Sequence, residues 1–203
     1  MSTWILYDTE FTAWPDSQHT NWEGKNRELV RISALRIDLQ LRVVKIFDVL
    51  CRPVIEPILS PYFIDLTGIT QEQIETEGVS ISKGLAQFFS FCEGSDSILS
   101  YGNDRPVIEE NLEQIKESAP GQVLSQMRDV RVVIENKLQR PLPSYLTSGT
   151  VYQATPYLEH QVKKRWSNAS TFAHNSLWDV YSPLLLLRNL NKKALVQSGD
   201  PAF

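Results

Sequence analysis

A mixed α/β domain with helices on both faces of its sheet is the fold class that the apolar pattern predicts. Three observations carry that prediction. Residues 3–53 hold three runs with strand character, a proline-rich break follows, and beyond it helical and strand-like runs alternate. The length of 203 residues, 42% of them apolar and 22% charged, fits a single domain able to bury a sizeable core. The chain, 1–203, reads as one unit with its core at about 3–190 and a short polar tail, 191–203, that frays.

The elements follow in order. TWILYDTEF (3–11) is apolar on both faces until its acids arrive, as expected of a central strand covered on both sides. LVRISALRI (29–37) and RVVKIFDVLCRP (42–53) are separated by a short polar stretch at Asp38 to Leu41, which predicts a hairpin. Pro53, Pro57 and Pro61 then break the pattern and predict a loop. Residues 71–77 read as a short polar helix. SKGLAQFFSFC (82–92) places Leu85, Phe88, Phe89 and Cys92 at helical spacing. SILSY (97–101) is a fourth strand, and RPVIEENLEQIK (105–116) a helix with Pro106 in its first turn, where the missing N–H costs nothing. DVRVVI (129–134) reads equally as a fifth strand or a helix start. Further helices are expected over Ala154 to Lys164 and from about Asn175.

Composition excludes several classes. So much apolar side chain excludes disorder as the main state. Cys51 and Cys92 are the only cysteines, too few to staple a fold of this size. No apolar run approaches the roughly 18 residues of a membrane span, and the N-terminus shows no secretion signal, so a cytoplasmic protein without membrane contact is expected. The net charge of -4 argues mildly against gripping long duplexes through their phosphates, but not against an enzyme that holds a few nucleotides with the help of cations. The basic clusters Lys163, Lys164, Arg165 and Arg188, Lys192, Lys193 read as solvated helix faces.

Chemistry gathers at four places. Asp8 and Glu10 are two apart on the first strand, so their carboxylates project from one face at its end. Two such charges repel and desolvate badly unless a cation lies between them. Hard oxygen donors with no Cys or His nearby suit magnesium or manganese rather than zinc. An Asp-x-Glu occurs by chance about once in a chain this acidic, and what singles this one out is its place at the end of an apolar strand. In HNSLWD (174–179), His174 and Asp179 can lean over one site if His174 precedes the helix and Asp179 lies within it. A lone His is otherwise a packing or capping residue. Asp104 follows the fourth strand and opens a helix, where its plain role is that helix's N-cap; strand ends are also where α/β sheets build sites. The fourth place is SPYFIDLTGIT (60–70).

YDTEF (7–11), LTGIT (66–70), SYGNDRPVIEENL (100–112) and HNSLWD (174–179), in that order, resemble the DEDD exonucleases, the DnaQ-like members of the ribonuclease-H-like superfamily. His-x4-Asp resembles the DEDDh branch. LTGIT and YGN look most like the enhancer-of-RNAi and histone-mRNA exonucleases. The resemblance implies a ribonuclease-H-like fold with a mixed five-stranded sheet, and a 3′–5′ exonuclease acting on single-stranded RNA or DNA 3′ ends with two Mg2+ or Mn2+ ions per site. It implies that Asp8, Glu10, Asp104 and Asp179 are the metal-site acids and His174 the general base. Leu66, Thr67 and Ile69, together with Thr9 and Phe11 around the strand acids, would receive the terminal nucleotide. Departures from the family pattern are Ser176, Trp178 and Val180 in the last motif, Pro183 inside a helix that should continue, and one residue fewer between Gly102 and Asp104 than relatives commonly have.

The stretch TAWPDSQHTNWEGKNRE (12–28) reads as a long loop beside the acids. Its Trp14 and Trp22 either stack on unpaired bases or pack the loop onto the domain. The rival to an exonuclease is a catalytically silent nucleic-acid-binding module on the same fold, and the complete set of acids with His174 counts against it.

Overall fold

The computed structural model describes residues 2–17, 24–102, 104–139, 141 and 179–188. The polar C-terminal tail, the helix expected over Ala154 to Lys164, and Trp22, His174, Ser176 and Trp178 lie outside the described residues. Three long strands open the chain: β1 (Thr3–Phe11), β2 (Leu29–Asp38) and β3 (Val43–Arg52). Their bounds fall within a residue of those the apolar runs predict. After them come α1 (Pro61–Thr67), α2 (Gln71–Glu77), β4 (Val79–Ser80), α3 (Ile81–Cys92) and β5 (Ser97–Ser100). The series continues with α4 (Arg105–Ile115), α5 (Val123–Gln126), β6 (Met127–Asp129) and α6 (Val130–Leu138). Residues 179–188 are helical too.

Among the described residues the sheet has six strands in the order β4-β3-β2-β1-β5-β6, one more than expected, because the two-residue β4 adds an edge beside β3. β1 runs antiparallel to β2 and parallel to β5, so it is the hinge between an antiparallel and a parallel half. Alternation along β1 explains the two main cores. Leu6 packs on one face with Leu35, Val180 and Leu184. Ile5 and Tyr7 pack on the other with Leu85, Phe88 and Ile108. A third cluster, around Val30, Phe63 and Ile74, fixes α1 and α2 at the end of β2.

Three local outcomes differ from the sequence reading. Pro61 starts a helix instead of prolonging the loop, because Ser60 caps it, accepting from the Phe63 N–H at 3.0 Å, and proline is harmless in a first turn. DVRVVI divides: Asp129 closes β6 and caps α6, accepting from the Arg131 N–H at 2.8 Å. Pro183, a residue expected to kink or restart the last helix, does not interrupt it: 179–188 is continuously helical, with Val180 and Leu184 fully buried. Among the described residues no helix is long and apolar enough to cross a membrane.

The buried Glu28 carboxylate ties loops together, accepting from the backbone N–H of Val54 at 2.7 Å, of Ile55 at 2.9 Å and of Glu56 at 2.5 Å. Ser60 in turn donates its hydroxyl to the Ala13 carbonyl.

Gly84 lets α3 lie against β3. A Cβ built there would fall well inside van der Waals distance of the buried Cys51 Sγ. Gly84→Ala should therefore lower thermal stability by about 1–3 kcal/mol despite alanine's better helix propensity. Adding Cys51→Ala should recover part of the loss, and melting of the single and double variants checks both statements.

Candidate active site

The acids meet because of what surrounds them. In the β1–β2 register Asp8 lies opposite Ser33 and Glu10 opposite Arg31, so both carboxylates share the face that carries Leu6. The helical segment 179–188 packs on that same face through Val180 and Leu184. Asp179, one residue ahead of Val180, is thereby carried to the strand acids. Ligand oxygens of Asp8, Glu10 and Asp179 all lie within 4.8 Å of one another, with Glu10 buried and the other two half-buried.

Asp104 comes from the neighbouring strand. β5 runs parallel to β1 with Tyr7 opposite Ser100, and the chain turns at Gly102, φ +112, into α4. The Gly102 N–H donates to Asp129 Oδ1 at 3.1 Å, and its carbonyl accepts from the Ser100 hydroxyl at 2.8 Å. Asp104 occupies the N-cap position of α4 but does not cap it: its backbone is already helical (φ -79, ψ -17) and its side chain makes no cap bond. The carboxylate instead accepts from the Thr9 hydroxyl at 3.0 Å. Asp104 is not one of the three clustered acids, yet among charged neighbours it pushes the Asp8 pKa up most.

Burial is the first cause that holds the Asp8 and Glu10 carboxyls well above the ordinary range. Like charge is the second: Asp104, Asp179 and Glu10 act on Asp8, and Asp179 and Asp104 act on Glu10. Arg31 pulls both the other way. Asp104 is pushed up to about 7, again by burial first, with the Thr9 hydrogen bond opposing and the Asp129 charge adding. Converging hard oxygens from Asp8, Glu10 and Asp179, with burial and like charge holding the Asp8 and Glu10 carboxyls high, fit a divalent cation such as magnesium or manganese, which would relieve both causes.

The remaining predicted residues divide by position. Thr9 and Phe11 lie on the opposite face of β1 from Asp8 and Glu10; Thr9 is buried, and Phe11 packs beneath the Arg27 guanidinium, 5.8 Å from its ring centre. Thr67 is buried, donating its hydroxyl to the Phe63 carbonyl at 2.9 Å and accepting from the Ile69 N–H at 3.1 Å. Ile69 is buried in the third cluster, and Leu66 is half-buried. Trp14 is half-buried with Lys25 Nζ 4.6 Å above its ring, and Lys25 also pairs with Glu56 at 3.5 Å. His174 and Trp22 lie outside the described residues. Sequence reasoning passed over Arg31, Asp48 and Asp129. The first two could have been read from β-pairing, since Arg31 must face Glu10 once the hairpin register is set.

A family model described as RNase_T, exonuclease, matches residues 5–181, and the chain belongs to that family. The DEDDh resemblance agrees with it. ERI1 exoribonuclease 2 of Xenopus laevis is 30% identical over 90 residues, which are 44% of this chain and 12% of that protein, so the chain spans a small part of that relative. The nuclease domain of 3'hExo, a DEDDh family member, bound to rAMP, superposes with a TM-score of 0.69 at 17% identity, covering 98% of this chain and 93% of that one. Exonuclease I of E. coli in complex with a dT13 oligonucleotide superposes with a TM-score of 0.64 at 18% identity, covering 98% and 43%.

Raised carboxyl pKa values have a consequence for stability. A group whose folded pKa exceeds its unfolded value contributes stability that is complete below the unfolded pKa and lost as pH rises through the folded one. The metal-free protein should therefore melt at progressively lower temperature as pH rises from about 4 to beyond about 7, the range bracketed by the unperturbed acids and Asp104. Asp8→Asn should shallow that slope and raise the melting temperature at neutral pH in chelator. Manganese should shallow it for the unaltered protein. Thermal melts across pH, with chelator and with manganese, measure all three.

Proposed function

We propose that this protein is a divalent-metal-dependent 3′–5′ exonuclease that hydrolyses phosphodiester bonds at single-stranded RNA or DNA 3′ ends. The observation that carries the reading is the cluster of Asp8, Glu10 and Asp179, held on a buried strand and one helix with oxygens within 4.8 Å. Family membership and the superposition on a nuclease domain bound to rAMP support it. Asp8, Glu10 and Asp179 would hold two ions, with Asp104 taking part through water. Bound Mg2+ or Mn2+ supplies Lewis-acid polarisation at phosphorus, an acidified water and charge for the leaving 3′ oxygen.

The chain's own groups then have distinct tasks. The carboxylates must be ionised to work, so their raised pKa values delay activity to higher pH until cations lower them. His174, in the motif that also supplies Asp179, is the proposed base that takes the proton of the attacking water. A neutral imidazole can do so near physiological pH. Leu66, Thr67 and Ile69 are the proposed seat of the terminal nucleotide, and Trp14 and Trp22 are proposed to stack on unpaired bases.

The decisive experiment offers labelled linear and circular single strands, RNA and DNA, with manganese. Linear strands should shorten from the 3′ end and circles survive, and Asp8→Asn should abolish turnover while keeping the fold. Comparable cutting of circles would indicate an endonuclease, and binding without any turnover the silent binding module. His174→Ala should slow hydrolysis by about 10²- to 10⁴-fold. Calorimetry should show that this variant still binds manganese, and loss of binding would make His174 structural.

A further inference from the structure

We propose that Thr9 is a positioning residue whose hydroxyl, on the back of β1, holds the Asp104 carboxylate in register with Asp8 and Glu10. The inference rests on the reading of Asp104 as a metal-site acid and adds how that acid is held.

Three observations converge on it. Thr9 is buried at 5% exposure, and its Oγ1 donates to Asp104 Oδ1 at 3.0 Å. Strand alternation turns its side chain away from the face of its two neighbours, so it cannot join them as a ligand. Its hydroxyl has one proton to give, and Asp104 receives it.

Asp104, for its part, takes no orientation from α4, since its side chain makes no cap bond. Its backbone is placed by β5, through the Gly102 N–H on Asp129 and the Gly102 carbonyl on Ser100. Its carboxylate accepts from Thr9 on β1, and the Ser100 side chain at the end of β5 acts on it as well. The Thr9 donor therefore rides on the strand that carries Asp8 and Glu10, and it ties the carboxylate delivered by β5 to that strand.

The buried Tyr7 hydroxyl, two residues earlier on the same face, makes no hydrogen bond of ordinary geometry and lies beside Ser100 and Asp104. Removal of the Thr9 hydroxyl would leave the carboxylate free to turn toward it and away from the site. Valine at position 9 keeps the shape and the strand preference of threonine and removes only the donor.

The test measures manganese affinity by calorimetry and turnover at limiting and saturating manganese. It compares the unaltered protein with Thr9→Val, Thr9→Ser, Asp104→Asn and the pair Thr9→Val/Asp104→Asn. Loss of an outer partner of a metal site costs about 10- to 100-fold in affinity or activity, and Thr9→Val should fall in that range. Thr9→Ser should restore most of the loss, because it restores the donor. In the Asp104→Asn background Thr9→Val should add almost nothing, since the two changes break one contact. An equal further loss in that background would show Thr9 acting independently of Asp104 and overturn the inference. Unaltered manganese affinity and turnover in Thr9→Val, with Asp104→Asn impaired, would overturn it too. Unaltered behaviour of Asp104→Asn itself would instead remove the reading on which it rests. A lower melting temperature without a change in manganese affinity would assign Thr9 to packing alone.

Discussion

Two carboxylates on one face of a strand that is covered by apolar layers on both sides set the terms for the rest of the molecule. Water cannot solvate Asp8 and Glu10 fully, and Asp179 and Asp104 add charge of the same sign. Folding thus concentrates unfavourable electrostatic energy at one spot. The cores on the two faces of β1 offset it, and they do so through residues adjacent to the acids themselves: Leu6 before Asp8, and Val180 after Asp179. Stability and site come from the same few elements.

β1 can carry this load because of where it stands. Its antiparallel partner β2 gives it a long register from Thr3 to Phe11, and its parallel partner β5 brings a second strand's carboxyl end beside its own. Ligand sites in open α/β sheets form where strand ends of this kind meet at a change of direction in the topology. The register between β1 and β2 breaks between Glu10 and Phe11, immediately beyond the last acid. Pairing therefore stays regular through Asp8 and Glu10 and changes only once they have been placed.

The parts of the fold that sequence made legible are those decided by local pattern. β1, β2 and β3 read directly from continuous or alternating apolar runs, and α3 from Leu85, Phe88, Phe89 and Cys92. Less legible were features that depend on a partner far along the chain. Val79–Ser80 becomes a strand only because β3 lies beside it, and no two-residue run announces itself. Pro61 looked like a breaker until Ser60 and the third core cluster made it a helix start. At the site, the Asp-x-Glu spacing placed two carboxylates on one face. That Asp104 would bond to Thr9 rather than cap α4 was not legible, because both roles begin from the same residue at the same helix end.

Arg31 shows how the site stays open to a cation. Set opposite Glu10 and close enough to lower the pKa of both strand acids, it would be expected to pair with them and fill the place of a metal. Asp48, from the next strand, prevents this. It accepts from Arg31 Nε at 2.8 Å and Nη2 at 2.7 Å, while Ser33 donates to the same carboxylate at 2.7 Å. A bidentate arginine–carboxylate pair is geometrically demanding, and the guanidinium edge committed to Asp48 is not available to Glu10. Among the described residues neither Asp8 nor Glu10 forms an ion pair. The positive charge still reaches them through space, which eases the crowding of the acids without occupying their oxygens. β3 thus contributes to the chemistry of β1 from two strands away, by holding a cation near the acids and keeping it off them.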